Sequence, residues 1–173
     1  MTGVSLTNTK SSKKLTVSKT VAGNMGNVDD DFRFTVVLQS GGTGFSGSVS
    51  YSKTLQDNTV TDGTLIFMNG SAEIALKHNE SIELHNLSNG LTYTITENAQ
   101  DAMGYLTEYS IDSGSALSGR SASGTLDSDI IVAFRNTKQI TIPTGVDFPI
   151  VIFAVIGVPL IFLSVILLKR RKE

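Results

Sequence analysis

The 173-residue chain carries a formal net charge of −2 and no cysteine. A disulfide framework and a thiolate metal site are thereby excluded, and no basic cluster outside the last five residues offers a footing for nucleic acid. Setting aside the apolar run near the C-terminus leaves about 140 residues, enough for one domain with a substantial core.

In chain order, Met1 to Lys14 contains no apolar run of the signal-peptide type. Its Val4-Ser5-Leu6-Thr7-Asn8-Thr9-Lys10 echoes Val132-Ala133-Phe134-Arg135-Asn136-Thr137-Lys138, with Val, Asn, Thr and Lys in register. Residues 1–14 are therefore expected to be the end of a preceding, similar domain or a linker. From Leu15 to Asn136 the pattern is β throughout. Leu15, Val17 and Val21 share one face, as do Phe32, Phe34, Val36 and Leu38. Ile74 and Leu76 alternate, then Ile82 and Leu84, across the turn-like His78-Asn79-Glu80. Leu91, Tyr93 and Ile95 follow the turn Ser88-Asn89-Gly90, and Ile130, Val132 and Phe134 close the region. Gly41-Gly42-Thr43-Gly44 and Ser113 to Ser123 read as loops. Seven or more short strands with polar turns predict an all-β, antiparallel sandwich over residues 15–138.

Residues 139–147 form a linker that contains Ile142-Pro143-Thr144-Gly145. From Phe148 to Leu168, 21 residues carry no charge, and Ser164 is the only plainly polar one. That run is long enough to cross a hydrocarbon core of roughly 30 Å, so residues 148–168 are predicted as one C-terminal transmembrane helix. Gly157-Val158-Pro159 marks a mild irregularity of a kind that bilayer helices tolerate. Residues 169–173 begin with Lys169-Arg170-Arg171-Lys172, which marks the cytoplasmic end and places everything before Asp147 outside.

Strand parity singles out three polar residues. Lys19 falls on the face of Leu15, Val17 and Val21; Glu97 on that of Leu91, Tyr93 and Ile95; Asn136 on that of Ile130, Val132 and Phe134. Side chains alternate across a strand, so all three point towards the core if the strands stay regular. For any one alone, the plainer reading is a strand-end side chain that snorkels outward. Burying a lone Lys or Glu is costly, so inward-pointing ones need partners or altered protonation.

Leu15-Thr16-Val17-Ser18-Lys19-Thr20-Val21-Ala22-Gly23-Asn24, Phe32-Arg33-Phe34-Thr35-Val36, Tyr93-Thr94-Ile95-Thr96-Glu97 and Val132-Ala133-Phe134-Arg135-Asn136-Thr137 together resemble the hallmark segments of isopeptide-forming pilin domains. These are the B-type domains of Gram-positive collagen adhesins and SpaA-like pilins. The resemblance covers essentially all of residues 15–138 and implies an immunoglobulin-like, collagen-adhesin B-type sandwich. It further implies that Lys19 bonds covalently to Asn136 with Glu97 as the assisting acid. Lys14 and Lys138 are the nearby rivals; Lys14 has the opposite strand parity and Lys138 sits beyond the last strand. Such a reaction turns over once within one chain, so the protein is not expected to be an enzyme, and no cofactor is implied.

Ile142-Pro143-Thr144-Gly145, the apolar run and the basic tail resemble the cell-wall sorting signal of Gram-positive surface proteins. That resemblance implies cleavage by a sortase between Thr144 and Gly145 and transfer of Thr144 to peptidoglycan or another pilin subunit. Pro143 directly precedes Thr144, a departure from the Leu-Pro-x-Thr-Gly pattern that leaves the sortase class open. No Tyr-Pro-Lys-type pilin motif is found, which favours a wall-anchored or basal subunit over a polymerising one. The expected product is a membrane-proximal stalk domain at the cell surface. The alternative is a permanently membrane-anchored extracellular adhesin module whose sandwich loops bind a host or cell-surface ligand, without sortase processing. His78 and His85 read as surface residues, and Asp29-Asp30-Asp31 as a solvated turn that lacks the glycine and later glutamate of a calcium loop.

Overall fold

The computed structural model describes residues 12–140, which form twelve strands. They are β1 (Ser12–Ala22), β2 (Phe32–Ser40), β3 (Thr43–Gly44), β4 (Gly47–Thr54), β5 (Val60–Phe67), β6 (Ser71–Leu76), β7 (Ser81–Ser88), β8 (Thr92–Glu97), β9 (Leu106–Ile111), β10 (Leu117–Ser118), β11 (Ser121–Thr125) and β12 (Ile130–Thr137). A seven-stranded sheet runs β10-β9-β12-β1-β7-β4-β5. A second sheet runs β11-β8-β2-β3, with β6 also paired to β2. The expected N-terminal echo, sorting motif, transmembrane helix and basic tail lie outside the described residues. Among the described residues, no helix is long and apolar enough to cross a membrane.

Alternation builds the core as expected. Leu15, Val17, Val21, Leu84, Val132 and Phe134 from the larger sheet meet Phe32, Phe34, Val36, Leu38, Ile74 and Ile95 from the smaller one in a single buried cluster. Each strand offers its apolar side inward because successive side chains point to opposite faces. The β5–β6 hairpin turns at Asn69-Gly70, with φ of 50° and 90°. Met68 and Ser71 exchange both backbone hydrogen bonds at 3.0 Å, the positive-φ geometry that an Asn-Gly pair adopts at least cost.

Three features depart from the sequence expectation. The segment read as a loop at Ser113 to Ser123 contains β10 and the start of β11, and Thr43–Gly44 forms the short β3. Ser121-Ala122-Ser123-Gly124-Thr125 pairs along β8 through its backbone, and its small side chains leave no hydrophobic period to read. The sandwich is also not wholly antiparallel. β1 and β12 lie side by side and parallel, with Leu15 opposite Ile130 and Val21 opposite Asn136. Parallel neighbours require a long crossover, and here nearly the whole domain is that crossover.

Candidate functional site

Lys19, Glu97 and Asn136 come from β1, β8 and β12 and meet in the core. Their exposures are 1%, 0% and 0%. The strands pin each backbone. Lys19 donates its N–H to the Glu80 carbonyl at 3.0 Å, and its own carbonyl accepts from Asn79 N–H at 2.8 Å. Asn79 takes φ of 59° to make that turn. On the other sheet, Glu97 is paired opposite Phe34 and donates its N–H to the Arg120 carbonyl at 2.8 Å. Asn136 is held between Val21 on β1 and Thr107 on β9.

One carboxylate oxygen joins the three side chains. Glu97 Oε1 accepts from Lys19 Nζ in a short contact and from Asn136 Nδ2 at 2.8 Å. The surroundings are apolar and aromatic. Lys19 Nζ sits 4.2 Å from the Phe32 ring centre and 5.7 Å from that of Phe34. Phe34 in turn packs 5.0 Å from Phe134. Burial pushes the Lys19 amine down from 10.5 to about 8, against the opposing pull of the Glu97 charge and hydrogen bond. A group so placed is far closer to a neutral amine at physiological pH than a surface lysine.

The rival lysines are elsewhere. Lys14 lies at the irregularity between Lys13 and Leu15 in the β1–β7 pairing, exposed and bonded to Glu83 at 2.8 Å. Lys138 stands past β12 with its Nζ 5.2 Å from the Tyr105 ring. The histidines are not free surface residues. Both are half-buried; His78 Nδ1 accepts from Val21 N–H at 2.9 Å, and His85 Nε2 lies 2.9 Å from Ser52 Oγ. Among the described residues, no three His, Cys, Asp or Glu side chains group as a metal site.

Two buried polar residues escape a pattern reading of the apolar strands. Glu80 is 6% exposed; its Oε2 bonds Lys53 Nζ at 2.8 Å and accepts from Lys77 N–H at 3.0 Å. It braces the turn that grips the Lys19 backbone. Thr107, also 6% exposed, faces inward from β9 next to Asn136. Thr107, Tyr109 and Ile111 alternate along the chain, but Tyr109 and Ile111 are only partly buried, so the period is muted.

The sandwich is shared with solved pilus proteins. The major pilin of Streptococcus pyogenes aligns with a TM-score of 0.63 at 29% identity, over 75% of this chain and 48% of that one. The pilus-presented adhesin Cpa aligns with a TM-score of 0.61 at 32% identity, over 76% of this chain and 28% of that one. In sequence, the chain is 35% identical over 133 residues to the pilus tip adhesin Cpa of Streptococcus pyogenes, 76% of this chain and 18% of that protein. It is 28% identical over 171 residues to a pilin of serotype M1, 95% of this chain and 50% of that protein. The chain spans half or less of the length of these curated relatives. Fold and similarity together define a domain of the pilin and pilus-adhesin type. The chain belongs to the family described as a domain of unknown function, DUF7601, whose model matches residues 13–138.

Proposed function

We propose that this chain is a membrane-proximal structural stalk domain of a Gram-positive, sortase-anchored surface protein or pilin, stapled by an autocatalytic amide between Lys19 and Asn136. The observation that carries the reading is the shared oxygen: Glu97 Oε1 holds the prospective nucleophile and the prospective leaving group at once. An apolar site disfavours separated charge, so a proton passes from Lys19 Nζ to Glu97 and leaves a neutral amine beside a neutral acid. Asn136 directs Nδ2 at Glu97 and leaves Oδ1 without a bond to it, so protonated Glu97 is the acid that serves the departing nitrogen.

Lys19 Nζ then attacks Asn136 Cγ. The Nζ–Cγ bond forms, the Cγ–Nδ2 bond breaks, and Nδ2 leaves as ammonia carrying the proton that Glu97 relays from Nζ. Pre-positioning of amine and carbonyl by folding supplies much of the acceleration. Outside the described residues, Ile142-Pro143-Thr144-Gly145, residues 148–168 and the basic tail support sortase transfer of Thr144, after transient membrane insertion, to peptidoglycan or another subunit. The relatives named as pilin and pilus adhesin support a cell-surface location.

Intact mass of the full chain in detergent tests the staple. Wild type is expected one ammonia short, with full mass restored in Lys19→Ala, Glu97→Ala and Asn136→Ala. A folded wild type of full mass would sink the staple. For the anchor, a sortase with an amine acceptor should release residues 145–173 from wild type and leave Thr144→Ala intact.

A further inference from the structure

Among the described residues, three buried side-chain atoms have no hydrogen-bond partner: Glu97 Oε2, Asn136 Oδ1 and Thr107 Oγ1. Two belong to the site already described. The third belongs to Thr107, which stands directly opposite Asn136 in the β9–β12 pairing. Both residues are buried, at 6% and 0% exposure, so both face inward. Directly opposed side chains on one face of an antiparallel pair have Cβ atoms about 4.5–5.5 Å apart. A threonine hydroxyl is a rotatable donor, whereas Oδ1 is an acceptor without a donor. Leaving a buried hydroxyl unpaired is costly, and such a group beside a reacting amide calls for an account.

We infer that Thr107 is a catalytic residue of the amide-forming reaction, donating its hydroxyl to Asn136 Oδ1 as negative charge develops there. This rests on the proposed Lys19–Asn136 staple. When Nζ attacks Cγ, the carbonyl π pair moves to Oδ1. Lys19 and Glu97 are engaged in moving the proton, so neither neutralises that oxygen. Thr107 O–H does so by hydrogen bonding while keeping its own proton. When the intermediate collapses, the pair returns to the carbonyl and Nδ2 leaves as ammonia. A donor idle in the ground state and engaged at the transition state lowers the barrier, because it stabilises only the latter. Catalytic hydrogen bonds of this kind are often open in the resting structure.

The test follows intact mass with time in full chains made by a cell-free pulse in detergent. Thr107→Val keeps the shape and removes the donor; it is expected to lose ammonia about 100-fold more slowly than wild type, the usual size for one oxyanion donor. Thr107→Ser restores the hydroxyl and should recover most of the rate. Fold integrity is read separately in an Asn136→Ala background, where no amide forms. There Thr107→Val should melt no lower than its parent, since only an unpartnered hydroxyl is lost. If Thr107→Val does not fold, Thr107→Ala takes its place. Ammonia loss at the wild-type rate in the Val or Ala variant overturns the role, as does a Ser variant as slow as Val. If wild type itself never loses ammonia, the staple fails and the role of Thr107 with it.

Discussion

Lys19 and Asn136 lie on adjacent parallel strands, offset by two positions, and both hydrogen-bond the same oxygen of Glu97. Because β1 and β12 run the same way, the described chain enters at one end of this strand pair and leaves at the other. A pull on its ends shears the β1–β12 ladder along its length. A bond from Lys19 to Asn136 would carry the load straight from one strand to the other.

The first prediction is mechanical. With the staple, residues 20–135 lie outside the force path, so wild type stretched by its ends should give no unfolding extension from them. Asn136→Ala should release them, adding roughly 3.3–3.6 Å per residue. Single-molecule force spectroscopy reads the difference, and equal extension in both chains would refute the shielding.

Equilibrium stability should change as well. The Lys19–Asn136 loop encloses 118 residues, and closing a loop of that size is worth about 4–5 kcal/mol in the chain-entropy picture. Urea unfolding of wild type against Asn136→Ala should show a loss of at least that order, since the variant also leaves a small cavity.

A pH dependence should emerge once the staple is removed. With Asn136 in place and no amide formed, burial holds the Lys19 amine at about 8 against an ordinary 10.5, and Asn136→Ala should keep the amine lowered in the folded chain. Between those values the unfolded state binds more protons, so stability rises with pH across the window and levels off above it. Below about 8 both states are protonated and the slope vanishes. Lys19→Met in the same background should flatten the curve in urea titrations. In the unaltered sequence the Lys19–Glu97 pair keeps the one proton the reaction needs below about 8, so amide formation should be level there and slow as pH rises above it, measured by mass after a cell-free pulse.

The brace beneath Lys19 offers a further check. Lys53 reaches Glu80 at 2.8 Å, with the carboxylate side chain 7% exposed and the lysine 25%. Lys53→Met keeps the aliphatic stem and strands the Glu80 charge, which should cost about 1–3 kcal/mol. Glu80→Gln added to it should restore part of that loss. A double-mutant cycle in urea measures the coupling, and strict additivity would mean the pair contributes nothing.

Much of this site was legible from parity alone. The alternation that buries Leu15, Val17 and Val21 also carries Lys19 inward, and the same holds for Glu97 after Ile95 and Asn136 after Phe134. Period two is a local property of the backbone, so the sequence by itself determined which faces these residues take and that the fold is all-β. It did not determine that β1 and β12 pair in parallel, or that Ser121–Thr125 forms a strand. Nor did it show that Thr107 and Glu80 are buried beside the chemistry. Those outcomes depend on backbone pairing between segments up to more than a hundred residues apart, and register between strands leaves no trace in either strand's own pattern. Only the tertiary structure, by closing the sandwich, decided that three inward-facing polar groups would meet at one carboxylate oxygen.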